Sequence, residues 1–447
     1  MKDLTTGNIP KSIVSLAVPL IGTSFMQFAN NIIDMYWVGT LGSQAISAVG
    51  VSGFYTHLIW AISSILTVGS GIEISHSLGE KNKEKAQHIA RHALLATWGI
   101  ALLFSLLILL YKGPLGAFFN LSGGGEFEEY ITWMALGLIF TLSTNVLTSI
   151  SMAFGDSKTS FRIRMIGIVI NLILTPVFVY GLEMGIRGAA LSTFIAQAIV
   201  ALVFMLRGRT AFLGEGFRHT FDMQLFKPMV KLGFSPSVQR IIFSLASIAI
   251  GKIVAGWGPE AIAAQKIGHQ IEALTFMTVG GLSGAMMTFS GQNFGAQQYA
   301  RIQKGYKVTL QMALVFGVLI TFLLYTQSEE LMRLFVQDIK TIEIGGRYLQ
   351  IVGLSQLFMI TEMLTSHLIN GLGKTKLPAR INIVILLSRI PMALWLAQPT
   401  VLGIDGVWWT IFISTFFRGI AMLILYRVVF SKLMGSSSSI LNTSTTN

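Results

Sequence analysis

The chain reads as an all-α integral membrane protein: twelve transmembrane helices in two six-helix repeats, an N-lobe and a C-lobe, around a central cleft. Three observations carry that expectation. Of 447 residues, 53% are hydrophobic and 12% charged, against about 25% charged in soluble domains. Apolar runs of the length a bilayer demands, about 20 residues, recur along the whole chain. The second half of the chain also repeats landmarks of the first at an offset of about 216 residues.

Composition excludes several classes. So few charges cannot coat the surface of a soluble enzyme of this size, nor keep a chain disordered. The absence of cysteine removes disulfides, thiolate metal sites and cysteine nucleophiles. A net charge of +12 fits basic loops that orient a membrane protein, rather than nucleic-acid binding. Ten-residue alternating segments, the mark of a transmembrane β-barrel, are lacking.

The spans follow in order. The first, 11–38, is broken by Gln27, Asn30, Asn31 and Asp34 and is much longer than a signal-peptide core, so it is read as retained. The second, 45–72, leads into a basic loop at Lys81, Lys83 and Lys85, with Arg91 beyond. The third, 88–111, ends at Lys112, and the fourth is 130–152. Lys158, Arg162 and Arg164 open the fifth, 160–180; Arg187 opens the sixth, 186–206. A segment with Arg207, Arg209, Arg218, Lys227 and Lys231 leads to the seventh, 228–254, and the eighth, 261–289. Arg301, Lys304 and Lys307 precede the ninth, 306–326; Arg333, Lys340 and Arg347 mark its far side and the tenth, 345–369. Lys374, Lys376 and Arg380 precede the eleventh, 378–398, and the twelfth, 402–430, runs to Arg427 and Lys432.

With the N-terminus inside, the basic residues concentrate on the inner side, and only Lys112, Arg187, Arg333, Lys340 and Arg347 fall outside. The bias places both termini in the cytoplasm and supports an even number of spans in a plasma (inner) membrane. The expected organisation is an N-lobe at 1–206, a cytoplasmic linker at 207–227, a C-lobe at 228–430 and a disordered polar tail at 431–447.

The repeat pairs Pro19 with Pro236, and Gly42-Ser43-Gln44-Ala45 with Gly258-Pro259-Glu260-Ala261. It pairs Leu78-Gly79 with Phe294-Gly295, Phe154-Gly155 with Asn370-Gly371, and Gly185 to Gly188 with Gly403 to Gly406. Each half has six spans, so the repeats share one orientation and are related by an axis along the membrane normal.

Three motifs stand out: Asn31-Ile32-Ile33-Asp34 to Val38-Gly39, Ser290-Gly291-Gln292-Asn293-Phe294-Gly295, and Asn370-Gly371-Leu372-Gly373-Lys374-Thr375. In order and at repeat spacing, they resemble the multidrug and toxic compound extrusion (MATE) family, nearest its bacterial DinF-like branch. The resemblance implies secondary active export of organic compounds, often lipophilic cations, in exchange for protons or sodium by alternating access. It also implies a cation-coupling site of Asp34, Asn171 and Thr193. Where that branch carries a second Asp in span 5, this chain has Thr175. The Glu other branches place in span 7 is also missing, with Gln239, Arg240 and Ser244 near that depth. A lone carboxylate is a poor cage for sodium but sufficient to carry a proton, so protons are favoured.

The residues themselves point the same way. An acid in hydrocarbon costs about 2.5–3.5 kcal/mol on insertion scales and faces a cavity as a rule. Gln27, Asn30, Asn31 and Asp34 recur at helical spacing and suggest a polar stripe lining one; a hydrogen-bonded network near Pro19 is the plainer alternative. Phe25, Met26, Tyr36, Met152 and Phe154 are the candidate apolar wall for substrate, although such side chains more often pack or meet lipid. In span 8, Lys266, His269 and Glu272 lie on one face. Glu272 pairs with Arg240 or Lys252, or forms a second ionic site with Glu362; both readings stay open. Arg389 reads as structural.

Other classes fit less well. Gly371 to Thr375 matches part of a phosphate-binding loop, but Leu368 stands where its first glycine belongs. No His-Glu-x-x-His motif or histidine cluster offers a metal site or hydrolase centre. A lipid or oligosaccharide flippase on a related two-lobe scaffold is the alternative, and would show a basic rather than an acidic cavity. The expected protein is a monomer that is not an enzyme. Small organic substrates and the bilayer are its partners, and it needs no cofactor, metal or nucleic acid.

Overall fold

In the computed structural model, residues 3–119, 121, 125–214 and 222–444 are described, without the side chains of 209, 210 and 435–444. Among them every regular element is helical. The first half gives α1 (Ile9–Gly39), α2 (Ser43–Gly79), α3 (Lys83–Ala117), α4 (Glu126–Ala153), α5 (Ser157–Pro176), a π-helical turn (Val177–Gly181) and α6 (Gly185–Ala211). The second gives α7 (Met223–Ala255), α8 (Pro259–Gly295), α9 (Tyr299–Thr326), α10 (Ser328–Arg333), α11 (Ile339–Gly353), α12 (Gln356–Gly371), α13 (Lys376–Leu396) and α14 (Ile404–Ser444).

Eleven of these helices, α5 counted with its π turn, are long and apolar enough to cross a membrane. The tenth expected span is the exception. It is two helices, α11 and α12, broken at Leu354–Ser355. The Ser355 hydroxyl donates to the Val352 carbonyl at 2.7 Å, and such back-bonding bends helices. Asp338 caps α11, accepting from the Thr341 hydroxyl at 2.7 Å and its amide at 2.8 Å. Those bonds hold its carboxyl below the usual aspartate range. At the other end of the chain, α14 continues as helix to Ser444, into the tail for which disorder is expected.

The internal repeat extends to the backbone angles. Gly42 and Gly258 have φ of 107° and 102°. Lys81 and Gln297, 216 residues apart, are both left-handed at 60° and 58° although neither is glycine. Further on the spacing grows to 218, pairing Gly155 (77°) with Gly373 (75°) and Gly185 (55°) with Gly403 (60°). The hydrogen bonds agree: Asp156 N–H bonds Ser151 O, and Lys374 N–H bonds Ile369 O. Gly155 therefore corresponds to Gly373, not to Gly371 as the sequence alignment pairs them. Gly371 has a separate task, because a Cβ there would lie 2.0 Å from the Ser290 hydroxyl on α8.

The chain forms two compact units, divided after Ser237. One unit holds Val18–Ser237; the other holds Leu4–Ala17 with Val238–Asn447. Each unit thus includes the first part of a helix that continues in the other. In the first unit, Phe212, Leu213 and Met229 join the core built by Ile74, Ile89, Leu147 and Phe204. The start of α7 lies against α2 in backbone contact: a Cβ on Gly233 would be 1.8 Å from Ile65 O, and one on Gly69 would be 1.9 Å from Met229 O. The linker residues 215–221, including Gly216 and Arg218, lie outside the described residues.

In the second unit, the segment before α1 is held by the Gln292-Asn293 motif. Leu4 N–H donates to Gln292 Oε1 at 3.1 Å. Leu4 O accepts from Asn293 Nδ2 at 3.1 Å and Arg301 Nε at 3.2 Å, and Thr6 O from Arg301 Nη2 at 2.6 Å. Leu4 and Asn293 are completely buried. The core of this unit centres on Tyr348, Trp408 and the residues of α8 around them.

Candidate functional site

In the first unit, α1, α5 and α6 bring together the acid and its partners. Asn30 and Asp34 are one turn apart on α1, and Asn30 Nδ2 donates to Asp34 Oδ2 at 2.8 Å. Asn171, buried on α5, faces the same carboxylate. Its amide orientation follows from the network: with Nδ2 toward Asp34 it donates at 2.9 Å to Oδ1 and 3.2 Å to Oδ2, while its oxygen accepts from Thr193 Oγ1 at 3.3 Å. The opposite orientation would set acceptor against acceptor.

Thr175, one turn beyond Asn171, donates to Asn171 O at 2.8 Å and bonds Ser192 Oγ at 2.7 Å. Asn171, Thr175 and Ser192 are all nearly or wholly buried, so the cluster's floor is a closed set of hydroxyls and amides. Tyr130 of α4 lies within electrostatic reach of Asp34. Among the described residues, no lysine, arginine or histidine forms an ion pair with Asp34. The carboxylate is therefore held by neutral donors alone, and its charge can change without stranding a fixed countercharge.

The structure brings Asp34, Asn30, Asn171, Thr193 and Thr175 into one cluster. The rest of the polar stripe is not part of it: Gln27 and Asn31 are exposed. Among the apolar candidates, Met26 and Tyr36 are exposed, and Phe25 and Met152 are half-buried. Phe154 is buried. It is 2% exposed and packed in the core, with its ring 5.3 Å from that of Phe212. Sequence reading missed Ser192, although it adjoins Thr193. It also missed Tyr130, for which no local signal exists.

The second unit holds a different polar cluster, and of the two readings of Glu272 the ion pair with Arg240 or Lys252 is not among the described contacts. Glu272 is bonded by the Tyr348 hydroxyl and by Gln356 Nε2 at 2.9 Å, and pairs with His269 at 3.5 Å. The reason is packing: α8 lies against α11 and α12, whose Tyr348 and Gln356 reach the acid, while Lys252 is exposed. Arg240 instead lies within electrostatic reach of His367. Glu362 pairs with Arg418 at 3.8 Å and accepts from Asn382 at 2.7 Å and Ser366 at 3.1 Å. Arg389 donates to Ser414 at 2.8 Å and Thr415 at 3.4 Å. Acids and arginines here are tied to the protein's own groups, which suits an internal framework.

The two repeats thus carry different chemistry. Position 34 corresponds to Ile250 or Gly251 in the second half, and Asn171 corresponds to Arg389 at the 218-residue spacing. The acid at position 34 thus has no counterpart at the matching position of the second half.

Comparison with known proteins agrees with this architecture. The MatE family pattern matches residues 19–177 and again 237–395, once per repeat. The chain is 25% identical over 432 residues to "Probable multidrug resistance protein NorM" of Thermotoga maritima, covering 94% of this chain and 92% of that one. It is 28% identical over 422 residues to "Probable multidrug resistance protein YoeA" of Bacillus subtilis, covering 89% of each. Among solved structures, a MATE in the bent conformation superposes with a TM-score of 0.91 at 22% identity, covering 97% and 98% of the two chains. A MOP superfamily transporter of Pyrococcus furiosus, described as having a binding pocket of reverse polarity, superposes with a TM-score of 0.89 at 22% identity, again covering 97% and 98%. The shared fold, the matched repeats and the helices long enough to span a bilayer identify the chain as a member of the MatE family, a multi-pass membrane transporter and not an enzyme.

Proposed function

We propose that this transporter exports organic compounds, often lipophilic cations, in exchange for protons, or else sodium, by alternating access. It works as a monomer in the plasma membrane with both termini cytoplasmic, and it needs no cofactor. The observation that carries the reading is Asp34, a carboxylate within a spanning helix held only by the neutral amides of Asn30 and Asn171.

Hydrogen-bond logic supplies the mechanism. The ionised carboxylate accepts from both amides. A protonated carboxyl becomes a donor, and one amide must then present its oxygen instead of its nitrogen. For Asn171 that turn exchanges its bond with Thr193, so a proton on α1 is felt on α5 and α6. A cationic substrate favours the ionised acid and a protonated acid favours its release, which is the differential affinity that exchange requires. The multidrug-resistance names of the relatives support the direction of transport and the class of substrate.

The test is export of a fluorescent lipophilic cation by purified protein in liposomes, with a pH gradient and no sodium. Transport by the wild type and none by Asp34→Asn is expected. Equal transport by both proteins would remove Asp34 from the mechanism, and transport driven only by a sodium gradient would replace the proton.

A further inference from the structure

The structure assigns a positioning role to Tyr180: its hydroxyl clasps the C-terminal end of α1 and works as one unit with the Asp34 cluster. This rests on the reading of Asp34 as the coupling acid. After Asn171 and Thr175, α5 reaches Pro176, which has no N–H, and the backbone widens into the π turn, closed by Leu182 N–H to Val177 O at 2.9 Å. Such turns are often found at functional sites. On one side the turn is held by α6, where a Cβ on Gly188 would lie 2.7 Å from the Phe178 backbone.

On the other side Tyr180 meets α1. Its hydroxyl contacts the Thr40 hydroxyl at short range and lies 3.3 Å from Trp37 O, which Thr40 also bonds at 2.7 Å. The Tyr180 and Trp37 rings meet edge to face at 5.7 Å. Trp37 and Asp34 are one turn apart on α1, so α5 and its π turn grip α1 at two neighbouring levels. One grip is the Asn171–Asp34 bond and the other is the Tyr180 clasp. A shift of α1 when the acid changes its partners must load the clasp, and a broken clasp leaves the acid with a less fixed helix.

The second repeat lacks both grips. At the 218-residue spacing Gln398 stands for Tyr180, α13 ends without a π turn, and Ile250 or Gly251 stands for Asp34.

The test is a double-mutant cycle read by hydrogen exchange of α1 amides 36–41, which needs no transport. Tyr180→Phe keeps the ring and removes the hydroxyl. It is expected to speed exchange about tenfold, the value of one hydrogen bond, and Thr40→Val is expected to do the same. In the Asp34→Asn background the same change should add less than about twofold, because coupled contacts are not additive. Thr40→Ser keeps the hydroxyl and should exchange as the wild type does. Equal acceleration in both backgrounds, no acceleration, or a Thr40→Ser protein as fast as Thr40→Val would overturn the proposal. If Asp34→Asn transports normally, the coupling reading fails alone, and the exchange cycle still decides whether the grips are linked.

Discussion

Asp34 has two neutral donors and, among the described residues, no ionic partner, and the neighbouring position 175 shows how little separates proton from sodium chemistry. Thr175 is buried and its hydroxyl is bonded to Ser192. Thr175→Asp would add a second carboxylate one turn from Asn171. Two carboxylates sharing a site suit a hard cation, which takes several oxygen ligands, better than one does. The expected outcome is a gain of sodium-dependent transport and a loss of strict proton dependence, measured with each gradient separately in liposomes. Glu272 differs from Asp34 because its donors, Tyr348 and Gln356, are locked in a packed core. Glu272→Leu should lower thermal stability, since it strips Tyr348 and Gln356 of their buried acceptor at about 1–3 kcal/mol each.

At the scale of elements, the closest approaches fall where glycine permits them. Gly233→Ala would drive a methyl group into Ile65 O, and overpacking of this kind costs about 1–3 kcal/mol. A lower Tm in detergent is expected, while Gly251→Ala, with open space around it, should leave Tm unchanged. The helices themselves were legible because a bilayer-spanning run is a signal of composition and length. The break at Ser355 and the short α10 were not, since one serine hydroxyl and a six-residue turn leave composition unchanged. The π turn was equally hidden, being an inserted residue that only backbone hydrogen bonds reveal. Asn30 and Asp34 could be paired from their i, i+4 spacing, and Asn171 and Thr193 through family resemblance. The partners of Glu272 could not, because Tyr348 and Gln356 come from 76 and 84 residues away.

For the whole molecule, the two repeats exchange the first parts of their leading helices. Residues Leu4–Ala17 belong with the second unit and α1 continues in the first from Val18. The bonds from Gln292, Asn293 and Arg301 to Leu4 and Thr6, those to Gln292 and Asn293 buried, hold Leu4–Ala17 in the second unit. Asn293→Ala combined with Arg301→Gln should raise hydrogen exchange from Leu4 as far as Ala17 and leave Val18 onward unchanged. A rise confined to the residues before α1 would show that the helix does not depend on the strap. Charge and glycine content mark 207–227 as a linker in the sequence, while the compact units divide at Ser237 because Phe212, Leu213 and Met229 are core residues of the first.

The central claim is that Asp34 trades a proton for substrate. The most direct measurement is proton release into weakly buffered detergent solution when a lipophilic cation binds the purified protein. The wild type should release protons on binding, and Asp34→Asn, brought to the same occupancy at a higher concentration of the compound, should release none. Binding without proton release by the wild type, or undiminished release by Asp34→Asn, would contradict it.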